Sequence, residues 1–179
     1  MNTKKSRIHT MTQCSMFAAL MCICSPLMIP LGAVPLSAGI LVVMFTAVVL
    51  SPVRAVTSVC VYILIGACGL PVFSGLRGGF SVLAGPTGGY IWSYILVSAF
   101  VSFFSRLCTK LAGVCVACIL SLVICWLCGA LQYAFIADAD ISEAIAVCVL
   151  PFIIPDIIKA VAVAFFGNGL RTIMSKHQF

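Results

Sequence analysis

Residues 112–134 hold no charged side chain, and that run alone is long enough to cross a hydrocarbon layer ~30 Å thick as a helix. No other feature limits the fold as much, because the rest of the chain repeats it. Only 8% of the residues are charged and 63% are hydrophobic, with a mean hydropathy of +1.26. A water-soluble domain carries roughly a quarter charged residues, so this chain lacks the polar surface to face water all round. It reads as an all-α polytopic membrane protein, residues 1–179 forming a single membrane domain. Six spans of ~20 residues can be drawn, near 11–30, 36–52, 54–70, 86–105, 112–134 and 153–173. Pro26, Pro30 and Pro35 interrupt the first junction, and such backbone is tolerated at membrane depth only where it is packed in protein or lines a cavity. The basic start (Lys4, Lys5, Arg7) and the apolar run behind it imitate a signal peptide, but no clean small-x-small cleavage pattern follows, so the segment reads as a retained first span.

Charge then sets direction. With a cytoplasmic N-terminus the inner side holds Lys4, Lys5, Arg7, Arg54, Arg106, Lys110, Arg171 and Lys176, and the outer side only Arg77 and Lys159. That is the asymmetry the positive-inside rule expects, with both termini cytoplasmic. The four acids (Asp138, Asp140, Glu143, Asp156) fall outside as well. The net charge of +6 comes from scattered single residues, not from a basic patch with aromatics between, so nothing points to nucleic acid. Near the C-terminus, Pro155 and Asp156 suit a helix start, the proline because it has no amide to leave unpaired and the carboxylate because it meets the positive end of the macrodipole. The last helix is therefore expected from Phe152–Pro155, with residues 142–150 as a short interfacial helix; the alternative is one kinked helix from Ser142.

Three isolated charges share the outer side. Asp156 and Lys159 stand three apart and so lie on one helix face; Arg77 sits in a stretch, residues 69–90, that contains seven of the chain's 14 glycines. Intramembrane charges are costly and face a bundle interior, pairing with one another or with a ligand. An outward pocket with Arg77, Asp156 and Lys159 converging is one reading; an interfacial ion pair beside a snorkelling arginine is the other. The GPTGGY segment brings Gly85 and Thr87 to the start of the fourth span, where exposed amides can receive a polar or anionic group, although Gly88 and Gly89 would equally serve close helix packing.

GLPVF (69–73), RGG (77–79), GPTGGY (85–90) and PFIIPDIIKA (151–160) together resemble the BioY family, the biotin-specific substrate-binding subunits of energy-coupling-factor vitamin transporters. The resemblance runs over nearly the whole chain. It implies biotin enclosed by the outer helix ends and loops, with Arg77, Asp156 and Lys159 matching the family's conserved arginine, aspartate and lysine. It also implies a partner membrane subunit, two cytoplasmic ATPases and the bacterial cytoplasmic membrane as location. PLSAG at 35–39 departs from the family pattern: Ser37 stands for a threonine and Gly39 for a glutamine. Biotin's chemistry matches the residues. Asp156 accepts from ureido N–H groups, Arg77 can hold the valerate carboxylate bidentately, and Lys159 suits either end. Phe73, Tyr90 and Trp92 are candidate walls, since small-ligand pockets are mostly apolar. Family docking through small residues of the first helix implicates Ser15 and Ala19, or Ala18 and Cys22, at small-xxx-small spacing.

Cys115, Cys118, Cys125 and Cys128 spell CxxC twice, but on a helix the outer two lie about 20 Å apart, too far for one zinc. The 11 cysteines read as small apolar fillers, and no metal or other cofactor is expected. There is no GxxxxGK[ST] loop, and His9 and His177 lie in the tails away from any nucleophile, so no catalytic residue is assigned. Three functions remain open: vitamin capture (biotin or another small carboxylated vitamin), a structural or assembly subunit whose charged pair locks helices, and a membrane enzyme using Asp156 as a base.

Overall fold

The computed structural model describes residues 2–30, 34–108 and 110–176. In chain order they form α1 (Asn2–Cys24), a two-stranded antiparallel ribbon β1 (Met28–Ile29) and β2 (Leu36–Ser37), α2 (Gly39–Val49), α3 (Pro52–Ala67), the short α4 (Phe80–Ala84), α5 (Gly88–Leu107), α6 (Leu111–Ala137), α7 (Ile141–Cys148), a 3₁₀ turn (Leu150–Phe152) and α8 (Ile153–Lys176). The helices α5, α6 and the α7–α8 stretch Ile141–Arg171 are long and apolar enough to cross a bilayer, whereas α2 and α3 are apolar but shorter.

Where the spans differ from the sequence reading, local chemistry gives the reason. The first helix ends at Cys24 rather than residue 30, because Pro26 and Pro30 have no amide to continue it and Met28–Ile29 pair with Leu36–Ser37 instead. The second is cut to Gly39–Val49, since Leu36 and Ser37 belong to that ribbon and Pro52 opens the next helix. At the other end, α7 stops at Cys148, Pro151 sits in the 3₁₀ turn, and α8 begins at Ile153 with Pro155 in its first turn. Separate helices, not one kinked helix from Ser142, therefore join there.

The packing is that of a membrane bundle. Val43, Met44, Ala47, Val59, Val97, Val101, Val114, Leu122 and Ala164 form a buried core, while Ile23, Phe103, Leu127, Phe135, Phe165 and Phe166 point outward. Bulky apolar side chains on the outside have lipid to face. Small hydroxyl residues occupy the inside instead: Ser93, Ser98, Ser102 and Ser105 of α5 and Ser121 of α6 are buried and return their protons to carbonyls of their own helices. Their size lets α5 and α6, the most extensively paired helices, approach closely. At this junction Gly89 lies against the Cys128 carbonyl, in a space a methyl group would occupy.

The basic ends of the helices gather on one side. Arg171 donates to the Ser105 carbonyl beside Arg106, and Arg54 donates to Gln13 of α1 at 2.8 Å. Asp156 and Lys159 lie near the opposite end of α8 from Arg171.

Candidate functional site

At that opposite end the turns between helices enclose a cavity. Its wall takes Ser25 from the end of α1; Val34, Pro35, Leu36 and Ser37 from the ribbon; Ile40 of α2; Tyr62 of α3; and Phe73, Ser74 and Arg77 from the loop after α3. Val82, Thr87, Tyr90, Ile91, Tyr94, Cys125 and Phe152 continue it, and α8 contributes Asp156 and Lys159. Arg77, Asp156 and Lys159, the three isolated charges, thus border one space.

Asp156 is 6% exposed and both its oxygens are engaged. Oδ1 accepts from Lys159 Nζ at 2.9 Å, and Oδ2 accepts from the Trp126 indole N–H at 3.1 Å. Lys159 also donates to the Ser37 carbonyl at 2.9 Å, tying α8 to β2. Burial of an isolated charge would be prohibitive; this pair is tolerable because each member neutralises and hydrogen-bonds the other. The inventory is not exhausted, however. An ammonium has three protons and two are used; a carboxylate has about four acceptor directions and two are used. Among the described residues, one donor and two acceptor directions of the pair are unused.

Arg77 reaches the cavity through a tight turn. The Phe73 amide donates to the Arg77 carbonyl at 2.9 Å, closing a loop whose Gly75 and Leu76 both have positive φ, 73° and 58°. Glycine enters that region without penalty, which is one reason the stretch is rich in it. The Gly75 amide donates to the Pro26 carbonyl at 3.2 Å and pins the turn to the end of α1. Arg77 is exposed at the cavity edge, opposite in character to the buried pair. Ser74, on the same turn, presents a buried hydroxyl with no hydrogen-bond partner among the described residues.

The apolar wall includes Phe73, 1% exposed and edge-on to Tyr62 with ring centroids 5.6 Å apart, and Tyr90, whose hydroxyl donates to the Cys148 carbonyl at 2.7 Å. Ser37 and Thr87 also line the space. Gly85 does not: its amide donates to Val82 and its carbonyl accepts from Gln132 at 2.8 Å, so its backbone is spent on joining α4 to α6. Trp92 is likewise elsewhere, 43% exposed with its indole N–H on the Leu83 carbonyl. On α1 the two small pairs separate: Ser15 and Ala19 are exposed, whereas Ala18 is buried and Cys22 packs against the core. Ala18 and Cys22 are thus occupied by the chain's own helices and are not free for a partner.

Sequence reasoning missed Trp126, Ser25 and Tyr94. Trp126 stands in the span that carries the CxxC pattern, and nothing in its neighbourhood marks it as a partner for an acid 30 residues on. The cysteines of that span are free thiols, and Cys125 lines the cavity with its sulfur 3.2 Å from Ser93 Oγ.

The chain is similar to known proteins in sequence and in fold. A family profile described as the BioY family matches residues 1–176. The chain is 30% identical over 173 residues to the biotin transporter BioY2 of Lactococcus lactis subsp. cremoris, covering 96% of this chain and 95% of that one. It is 32% identical over 164 residues to the biotin transporter BioY of Thermotoga maritima, covering 92% and 96%. Among solved structures, the S-component for biotin from an ECF-type ABC transporter superposes with a TM-score of 0.89 at 25% identity, covering 96% of this chain and 95% of that one.

Proposed function

The chain belongs to the BioY family, and we propose that it captures biotin at the outer membrane face for uptake as the substrate-binding subunit of an energy-coupling-factor transporter. It is an integral membrane protein, and its work is binding and transport rather than catalysis. We read residues 1–179 as one membrane domain with both termini cytoplasmic, in the bacterial cytoplasmic membrane, on the strength of the charge asymmetry.

The observation that carries the reading is the cavity's polarity. A buried, hydrogen-bonded ion pair with spare capacity sits on the same apolar space as an exposed arginine. Biotin has the complementary layout. Its ureido ring offers two N–H donors and a carbonyl, which suit the unused acceptor directions of Asp156 and the third proton of Lys159. Its aliphatic chain needs apolar walls, which Phe73, Tyr90 and Ile91 supply, with Ser37 and Thr87 as polar contacts. Its carboxylate needs a cation at the far end, and Arg77 can hold it bidentately. Binding requires no cofactor.

Energy for transport comes from partners. The exposed Ser15 and Ala19 stripe on α1 suits close approach of a membrane coupling subunit, which in turn engages two cytoplasmic ATPases. Radiolabelled biotin binding to the purified chain in detergent tests the core of this reading. Saturable binding, displaced by unlabelled biotin and not by other small carboxylated vitamins, is the expected result. Absence of binding, or equal displacement by an unrelated vitamin, would refute it.

A further inference from the structure

Between Arg77 and Tyr90 the cavity wall runs through α4, a helix of five residues, Phe80–Ala84. A helix that short does not hold itself together, because so few internal hydrogen bonds do not offset the cost of nucleation. It also leaves carbonyls at its end without intrahelical partners. Phe80 and Ser81 are exposed and only Leu83 is buried, so side-chain packing does not fix it either. The missing partners come from α6. Gln132 Nε2 donates to the Leu83 carbonyl at 2.9 Å and to the Gly85 carbonyl at 2.8 Å, so both protons of one amide go to this turn. The Trp92 indole adds a longer bond, 3.3 Å, to the Leu83 carbonyl. Val82 precedes the first of these carbonyls, Thr87 follows the second, and both line the cavity. The segment's other anchor is Gly79, whose amide donates to the Gly66 carbonyl at 2.7 Å. A Cβ on Gly88 would overlap the Leu83 carbonyl oxygen and crowd Gln132 Nε2, and one on Gly89 would press on Gln132 Cβ and the Cys128 carbonyl. Two glycines of GPTGGY therefore leave the room through which Gln132 reaches α4.

We propose that Gln132 is a positioning residue for ligand binding: it clamps α4 so that Val82 and Thr87 stand as a fixed wall of the cavity. This rests on the biotin reading above and adds to it a residue that does not itself line the cavity. Gln132 is the only carboxamide in α6, and its polarity in so apolar a helix has a use in these two bonds. Without it, two carbonyls lose a donor, and the segment keeps only its own turns, the Gly79 anchor and the Trp92 bond. The turn then opens toward water, where those carbonyls find other partners. A ligand arriving at the opened wall has to order it again, and that ordering lowers affinity.

The test uses the full chain in detergent and the variant Gln132→Met, which keeps the length of the side chain and removes both donors. Hydrogen exchange followed by mass spectrometry reads the Val82, Gly85 and Gly88 amides, which are hydrogen-bonded within the segment. In the variant these should exchange roughly tenfold faster or more, the combined worth of two neutral hydrogen bonds, while peptides from the rest of α5, from α6 and from α8 keep their wild-type rates. Biotin should bind roughly three- to tenfold more weakly, and saturating biotin should slow the exchange of the segment again. Thermal unfolding should stay near wild type. Gly88→Ala leaves Gln132 in place but pushes α4 off it, so it should give the same local pattern and guards against a poorly folded first variant. Unchanged exchange of the segment in both variants would show that α4 is held without Gln132. Faster exchange throughout the bundle would make Gln132 a general brace, and faster local exchange with undiminished biotin affinity would take α4 out of the binding wall; either result overturns the proposal. Wild type that binds no biotin at all would sink the parent reading, while the exchange rates would still report on the clamp.

Discussion

Replacing Asp156 with asparagine separates a binding role from a structural one. The side chains have the same shape, but the amide has one acceptor oxygen where the carboxylate has two. In the native protein Oδ1 serves Lys159 at 2.9 Å and Oδ2 serves Trp126 at 3.1 Å, both as acceptors. Whichever way the amide turns, an NH₂ group faces one of two donors, so one of the two bonds is lost. Within membranes such side-chain interactions are worth about 0.6 kcal/mol on average and up to ~1.7 kcal/mol, and Lys159 retains the Ser37 carbonyl. Asparagine also leaves the Lys159 ammonium without its counter-ion, so a stability loss of about 3 kcal/mol is expected, the low end for one partner removed from a buried pair because Lys159 is only partly buried. Against the 5–15 kcal/mol typical of folded proteins, about 3 kcal/mol still leaves well over nine-tenths of the sample folded. Affinity should fall within that folded fraction. A hydrogen bond from a ligand N–H to a carboxylate is worth about 1.5–3 kcal/mol, so the dissociation constant for biotin should rise roughly ten- to a hundredfold. Equilibrium binding in detergent gives one number, and a thermal melt of the same preparation gives the other. Undiminished affinity would show that the carboxylate is not the acceptor. Affinity falling only as far as the folded fraction falls would mean the ion pair is a helix lock and nothing more.

Three further outcomes follow from other parts of the molecule. Arg77→Ala should weaken biotin roughly tenfold or more, as loss of a charge-assisted contact does, yet barely affect the methyl ester; equal losses for both ligands in a competition assay would remove the carboxylate from Arg77. Gly129→Ala should drive a methyl group into the Tyr90 ring that packs on that glycine, costing about 1–3 kcal/mol and loosening the cavity wall, and an unchanged melting temperature would contradict this. Ala19→Trp, on the exposed face of α1, should leave biotin binding by the isolated chain intact while abolishing uptake by cells that supply the coupling subunit and ATPases. Normal uptake would place the docking surface elsewhere.

Much of the architecture was legible along the chain. A run such as residues 112–134 has few ways to exist other than as a spanning helix, and α5, α6 and α8 start and end close to where hydropathy and Pro155 put them. The three lone charges were equally conspicuous, because a charge in an apolar chain is rare enough to need a reason. The prolines after residue 25 announced a break, though not the ribbon they permit between Met28–Ile29 and Leu36–Ser37.

What the amino-acid order alone determined, then, is that this chain lives in a bilayer, and which ionic groups stand apart from the rest. The tertiary structure decided which side of each helix looks inward. In water that choice is written as alternating polar and apolar faces, but in lipid the outside of a helix is as apolar as its inside, so the periodic signal vanishes. Ala18 and Ala19 are the same residue one position apart, and only packing makes one buried and the other exposed. For the same reason Trp126 became the second partner of Asp156, and Ser25, Ser37 and Tyr94, drawn from three separate segments, came to line one cavity with it.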